Sequence, residues 1–363
     1  MPEITPFLKS LLSVAGLSGY EAPAARLIEE KWRPLVDELT VSRLGSLHGL
    51  KKGSLPVALP ESGKRPSIMI ATHMDAIGLM VSQLVGEFLH ITQVGGIDPR
   101  ILPGTPVIVH ATGGGSTDEL YGVVVQPHVR ALPANVGDGP VPLKDLLIDV
   151  GLSAKELAAK VNIGDLASFV TEPTELSGGV ISGHTLDNRA SVAALTIALE
   201  ELKGKAHAWD VWAVATAQEE TVLGGAYTSA FDLRPDLAVA VDVTFAKGPG
   251  ASDWSTFPLG KGPTLAYGPN IHTYLFNKFK ELADKLEIPY ALEMVSRHSG
   301  TDTYAMQVTA EGIPTMVIGI PLRYMHTPVE MVALKDIQRT GRLLAEFIAA
   351  LDVDFLDKIT WDE

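Results

Sequence analysis

The chain contains no cysteine. Disulfides, thiolate zinc sites, iron–sulfur clusters and cysteine nucleophiles are excluded. Any metal has to be held through the nitrogen and oxygen of His, Asp and Glu. A basic surplus is also missing: 29 Lys plus Arg stand against 43 Asp plus Glu, a formal net charge of −14. Nothing is left over to neutralise phosphates, so neither nucleic acid nor an anionic membrane is an expected partner. No run approaches the roughly 20 apolar residues of a membrane span. The start, MPEITPFLKSLLSVAGLSGYE, lacks the basic and apolar regions of a signal peptide. The expectation is a soluble, cytoplasmic protein.

Several catalytic motifs are absent as well. There is no His-Glu-x-x-His and no Walker-type loop. Gly16-Leu-Ser-Gly-Tyr20 is not a nucleophile elbow, because its last position is Tyr. Gly113-Gly-Gly115 lacks the rest of a dinucleotide fingerprint and reads as a hairpin turn.

What is present is a globular composition, 46% hydrophobic and 20% charged over 363 residues. At ~150 residues per domain this length suggests two domains. Residues from about 5 to 38 read as helical, with Ser18 to Glu21 fitting a capping box. Ser67 to His73 is an apolar strand. From Ile77 to Phe169 short Val/Ile/Thr-rich runs are split by Gly and Pro, the pattern of a small all-β module. One helix in it starts at Ser153, with Glu156 completing a capping box. From Gly183 onward helices alternate with strands that are apolar throughout: Trp209 to Thr216, Leu237 to Val241 and Thr315 to Ile320. Such strands need cover on both faces. The expected fold is α/β: a mixed sheet with helices on both faces, built from residues 1–75 and 170–363 and interrupted by a β-rich insert at 76–169.

The polar residues gather where those strands end. One run ends in His73-Met-Asp75, another in Glu219-Glu220, a third in Asp242, and the loop after Ile320 supplies His326. Asp187 precedes the helix of residues 188–202. Ligands of open α/β sheets bind at the carboxyl ends of the strands. Taken singly, Asp187 reads as an N-cap, each His as a structural histidine and the Glu pair as solvated surface. Converging, they describe a site for divalent metal. Two metals about 3.5–4 Å apart would share one carboxylate and one water. His73 and Asp242 would then hold one ion, Glu220 and His326 the other, and Asp187 would bridge them. Asp75 would orient the ring of His73. In extended backbone neighbouring side chains diverge, which leaves Glu219 free to act as general base toward the bound water.

The segments Ala71-Thr-His-Met-Asp-Ala-Ile-Gly78, Val94-Gly-Gly-Ile-Asp-Pro-Arg100, Leu186-Asp-Asn-Arg189, Ala217-Gln-Glu-Glu220, Val241-Asp-Val-Thr244, Ser299-Gly-Thr-Asp302 and Arg323-Tyr-Met-His-Thr-Pro328 occur in one order over nearly the whole chain. In this the sequence resembles the tetrahedral metallo-aminopeptidases, the glutamyl-aminopeptidase or cellulase-M family. The resemblance implies two divalent ions, usually zinc or cobalt, held by His73, Asp187, Glu220, Asp242 and His326, with Glu219 as base and Asp75 beside the His; the nitrogen and oxygen donors suit manganese as well. It implies release of N-terminal residues from peptides, a PDZ-like inserted β-barrel used for assembly, and a tetrahedral homododecamer. Two departures stand out: Ala76 where the family often has Glu, and Asn188 where some members have Asp. Arg297, His298, Ser299, Gly300, Thr301 and Asp302 are expected to line the substrate site. The alternatives are a related metallo-deacylase or carboxypeptidase with another pocket, a glycosidase using carboxyls roughly 5–9.5 Å apart, and a non-catalytic shell protein.

Overall fold

Every residue of Ser67–His73 is buried. Ile68 and Ile70 face one hydrophobic cluster, Met69 and Ala71 another. The same alternation sends Val239 and Val241 one way and Ala238 and Ala240 the other, as the two-residue period of a strand requires. A sheet that is apolar on both sides must be sandwiched. Helices Thr5–Leu12, Ala22–Trp32, Leu186–Leu202, Thr273–Lys285 and Leu334–Ala350 cover one face. Gly224–Leu233 and Asp302–Gln307 cover the other. The computed structural model describes residues 3–56, 63–115, 118–128, 130, 132, 136 and 139–359.

Among the described residues the sheet has eleven strands and is mixed. Its centre is parallel, in the order Asp210–Thr216, Ser67–His73, Leu237–Phe245, Thr315–Arg323. Antiparallel strands extend it on one side through Leu47–Lys51 and Glu38–Val41, and on the other through Glu330–Ala333, Val180–Gly183 and Thr174–Leu176. Thr264–Tyr267 pairs with Thr315–Arg323 and carries Ala291–Met294 beside it. Since the four central strands run the same way, their carboxyl ends open on one edge of the molecule.

The chain leaves this sheet after His73 and rejoins it at Thr174. Between them, Gly78–Val85, Phe88–Val94, Leu147–Asp149, Asp118–Val125, Pro106–Ala111 and Leu166–Phe169 close into a six-stranded antiparallel barrel in that spatial order. Closure removes the unpaired edges that such short strands would otherwise expose. The barrel has its own core, with Leu79, Leu89, Val107, Val109 and Ile148 fully buried. Among the described residues no helix is long and apolar enough to cross a membrane.

The structure corrects three local expectations. The helical stretch over residues 5–38 is two helices, Thr5–Leu12 and Ala22–Trp32. The capping box at Ser18 does not form: Gly19 lies at φ +86 and breaks the helix that Ser18 would have capped. Glu21 instead accepts hydrogen bonds from Gly19 N–H at 2.6 Å and Gln218 N–H at 3.0 Å. The strand thought to end at Asp242 continues to Phe245, and its neighbour continues from Ile320 to Arg323. Each prolongs the other's ladder, with Asp242 opposite Gly319. At Ser153 and Glu156 the box is present as expected.

Candidate metal centre

The parallel edge gathers Asp75, Asp187, Glu219, Glu220 and Asp242 around the imidazoles of His73 and His326. His73 ends its strand, and Asp242 lies three residues before the end of the adjacent one. Asp187 lies on Leu186–Leu202, but its backbone and that of Asn188 depart from helical values. The side chain makes no cap and turns into the cluster. The Asp187–Asn188 peptide is cis. His326 and Tyr324 both lie at φ +60 in the loop leaving Thr315–Arg323.

The distances divide the cluster into two halves. His73 Nε2 is 3.1 Å from Asp187 Oδ1 and 3.6 Å from Asp242 Oδ1. His326 Nε2 is 3.3 Å from Asp187 Oδ2 and 3.4 Å from Glu220 Oε2. The two oxygens of Asp187 thus face different imidazoles. Around a tetrahedral zinc with bonds of about 2.0–2.1 Å, neighbouring donors stand about 3.3–3.4 Å apart. The observed spacings bracket that value. His73, Glu219 and Asp242 each offer a donor atom within 4.8 Å of the others, and so do His73, Asp187 and Glu220.

The Glu pair is not extended, contrary to the sequence reading. Gln218 sits at φ +58, and Glu219–Val222 is one short helical turn. Successive residues of a helix point about 100° apart, so the side chains still separate. Glu219 Oε2 lies 3.8 Å from His73 Nε2, while Glu220 reaches the His326 half. Asp75 explains how the turn is held. Its Oδ1 accepts from Glu219 N–H at 3.0 Å and its Oδ2 from Glu220 N–H at 3.1 Å. It also lies 3.5 Å from His73 Nδ1, so one carboxylate positions the ring and both glutamates.

Sequence reasoning missed Glu330. It is buried, and its two oxygens accept from Asp187 N–H at 3.0 Å and His326 N–H at 2.9 Å. It ties the backbones of both residues that link the halves. A lone Glu four residues after His326 carries no signal that it turns inward. Arg189, the last residue of the Leu186-Asp-Asn-Arg189 motif, is a second such residue. It is fully buried behind the cluster and donates to the carbonyls of Leu11 and Val14.

Of the expected substrate residues, His298, Ser299, Gly300 and Thr301 line a cavity of about 680 Å³ that also contains the cluster. Arg297 is not part of that lining. Asp302 is not either: it is buried beneath the site and accepts from Thr216 Oγ1 at 2.5 Å.

The electrostatics test whether this donor set fits cations. Burial pushes Glu220 up to about 8 and Asp302 up to about 7, and raises Glu219 and Asp242 as well. Burial alone would disfavour the charged form of His73, but Glu219, Asp187, Asp242 and Asp75 outweigh it and hold its pKa well above the usual histidine range. His326 is raised to about 9, chiefly by its hydrogen bond to Asp187. Burial opposes ionisation of Asp187 too, yet the two imidazoles win and its pKa is lowered. Glu220 Oε1 is buried with no hydrogen-bond partner. Without cations this cluster relieves its surplus of negative charge by holding protons, and divalent ions would take their place. The residues present therefore fit a metal centre.

A measurable consequence follows. Below a pH of about 8 to 9, cations must displace protons from Glu220 and His326, so uptake should release protons and affinity should rise with pH through this range. Calorimetric titration with zinc in two buffers of different ionisation enthalpy should give different heats. Equal heats would refute the protonated resting state.

Comparison with known proteins assigns the chain to a family. Residues 53–343 match the family described as M42 glutamyl aminopeptidase. A lysyl aminopeptidase of Pyrococcus furiosus is 34% identical over 350 residues, covering 95% of this chain and 96% of the relative. A TET aminopeptidase from a marine sediment archaeon, Thaumarchaeota archaeon SCGC AB-539-E09, superposes with a TM-score of 0.90 at 29% identity, covering 99% of this chain and all of that one. The Pyrococcus horikoshii TET1 peptidase, which can assemble into a tetrahedron or a large octahedral shell, gives a TM-score of 0.80 at 27% identity over 96% of this chain and all of that one. With a matching family over most of its length and relatives that share both the mixed sheet and the barrel, the chain belongs to the M42 glutamyl aminopeptidases and is a hydrolase of peptide bonds.

Proposed function

We propose that the enzyme is a dinuclear metallo-aminopeptidase. His73 and Asp242 would hold one divalent ion, Glu220 and His326 the other, with Asp187 shared and Glu219 acting as general base. The observation that carries this reading is the division of Asp187, one oxygen toward each imidazole. Two bound cations, zinc first and cobalt or manganese also suited to nitrogen and oxygen donors, would lower the pKa of a water and polarise the scissile carbonyl. Glu219 Oε2 would take a proton from that water and pass it to the leaving amine. Nearby positive charge favours the ionised carboxylate that this role needs. Asp75 keeps the Glu219 carboxylate at its post through the turn's backbone, and Glu330 does the same for Asp187 and His326.

Residues 1–75 and 170–363 form the catalytic part in this reading, and the barrel of 76–169 serves assembly. The solved dodecamer of PhTET1-12s, 28% identical to this chain, supports a homododecamer, in which enclosed sites would admit peptides and exclude folded proteins. A cytoplasmic role in trimming peptides suits the acidic, cysteine-free chain. Light scattering should give the mass of twelve chains; a monomer would refute the assembly.

The test of the chemistry joins a metal count to a panel of aminoacyl chromogenic amides. Two ions per chain, loss of activity with chelator, recovery on adding zinc or cobalt, and no cleavage of N-acetylated substrates are expected. Cleavage of the blocked substrates would identify a deacylase or carboxypeptidase instead. Activity undiminished by exhaustive chelation would end the metal reading.

A further inference from the structure

The family description names glutamate, a relative's name lysine, and these side chains carry opposite charges. The cavity beside the cluster distinguishes them. Five carboxylates line it: Asp187, Glu219, Glu220 and Asp242 of the candidate metal centre, and Glu293. Glu293 sits on Ala291–Met294, the strand that the sheet carries beside Thr264–Tyr267. Its Oε1 accepts from Thr244 Oγ1 at 2.7 Å and its Oε2 from Thr264 Oγ1 at 2.6 Å. Two hydroxyl donors fix the carboxylate and leave its remaining lone pairs available. Among the described residues no Lys or Arg lines the cavity and no ion pair to Glu293 occurs.

The backbone is shaped around this group. Gly319 lies opposite both Asp242 and Thr264 in the ladder. A Cβ there would come within 2.2 Å of Thr264 Oγ1, 2.9 Å of Thr244 Cγ2 and 3.1 Å of Glu293 Oε2. Glycine is what leaves the carboxylate its seat. Thr244 follows Asp242 by two residues on the same strand and so projects from the same face, roughly 7 Å further along. That is close to the reach of an extended lysine side chain, about 6 Å. Val243, Val295 and Val317 also line the cavity and supply apolar surface for a methylene stem.

We propose that Glu293 selects peptides whose first residue is basic, lysine or arginine, by pairing with the side-chain cation. This rests on the reading above, in which the first residue's amino group and carbonyl lie at the metal centre. A glutamyl side chain in the same place would set two carboxylates against each other and is rejected. Burial raises the pKa of Glu293 against the help of its threonines, and a bound ammonium or guanidinium would restore the lost solvation. A charge-assisted contact of this kind is worth roughly 10- to 100-fold in selectivity.

Two measurements decide the matter. The first is kcat/KM for lysyl, arginyl, leucyl and glutamyl amides with the wild type and with Glu293→Gln. The basic substrates should lead by tenfold or more, and the lysyl-to-leucyl ratio should collapse in the variant. In Glu293→Arg the lysyl-to-glutamyl ratio should invert, which a merely damaged fold cannot produce. The second is calorimetric binding of L-lysinamide and its uncharged counterpart L-norleucinamide to the metal-loaded protein. The wild type should prefer lysinamide by tenfold or more and Glu293→Gln should not. Failure to cleave any amide would sink the metallo-aminopeptidase reading, while the binding pair would still judge Glu293. Equal binding of the two amides, or a lysyl preference unchanged in Glu293→Gln, would overturn the inference.

Discussion

Asp187→Ala is expected to empty both halves of the metal centre and reduce amide hydrolysis to the level of chelator-treated enzyme. The reason is geometric: Asp187 is the side chain whose two oxygens approach both His73 and His326. Removing one approach would cost a single ion; removing both leaves each proposed ion with one imidazole and one carboxylate ligand, Asp242 beside His73 and Glu220 beside His326. Three protein donors around a catalytic zinc would then fall to two. The fold should survive with some loss of stability, because Asp187 pairs with both imidazoles while the apolar core that holds the sheet and helices is untouched. Metal analysis and circular dichroism on the same preparation separate the outcomes. A folded Asp187→Ala protein with two ions per chain would refute the bridging role.

Glu219→Gln should leave the ions in place and lower kcat by about 10²- to 10⁴-fold, the usual worth of a positioned base. The amide matches the carboxyl in shape but cannot accept the proton. The turn should hold, since Asp75 binds the backbone N–H groups of Glu219 and Glu220 and not their side chains. KM is expected to change little, as befits a group that acts in the transition state. The metal count in the same variant separates the two roles open to a carboxylate at this distance, base and ligand. Glu219 stands within 4.8 Å of the donor atoms of His73 and Asp242, so loss of one ion in the glutamine variant would make it a ligand and not the base.

Much of this site was legible in the sequence because strands advertise their ends. An unbroken apolar run such as Ala238 to Val241 followed by Asp242 has no cheap structural explanation, and four such junctions point to one sheet edge. The helix start at Ser153 was equally readable, since its capping box is purely local. The box at Ser18 had the same letters but failed, because Gly19 at φ +86 and the demands of Gln218 decide the backbone there. Glu219 and Glu220 kept their separation for a different reason than the extended chain suggested, and Arg297 and Asp302 stayed out of the cavity despite lying beside residues that line it.

The sequence by itself determined the donor chemistry, the α/β pattern of a sheet covered on both faces with its β-rich interruption, and the side chains available at the strand ends. These depend on residue type and short-range period, which one chain records directly. Only the tertiary structure decided that Asp75 grips the turn of both glutamates, that Glu330 ties Asp187 to His326, and that Glu293 faces the cavity past Gly319. Each of those relations joins segments tens to hundreds of residues apart. Their distances are set by sheet register and helix packing, and no local pattern in the sequence encodes them.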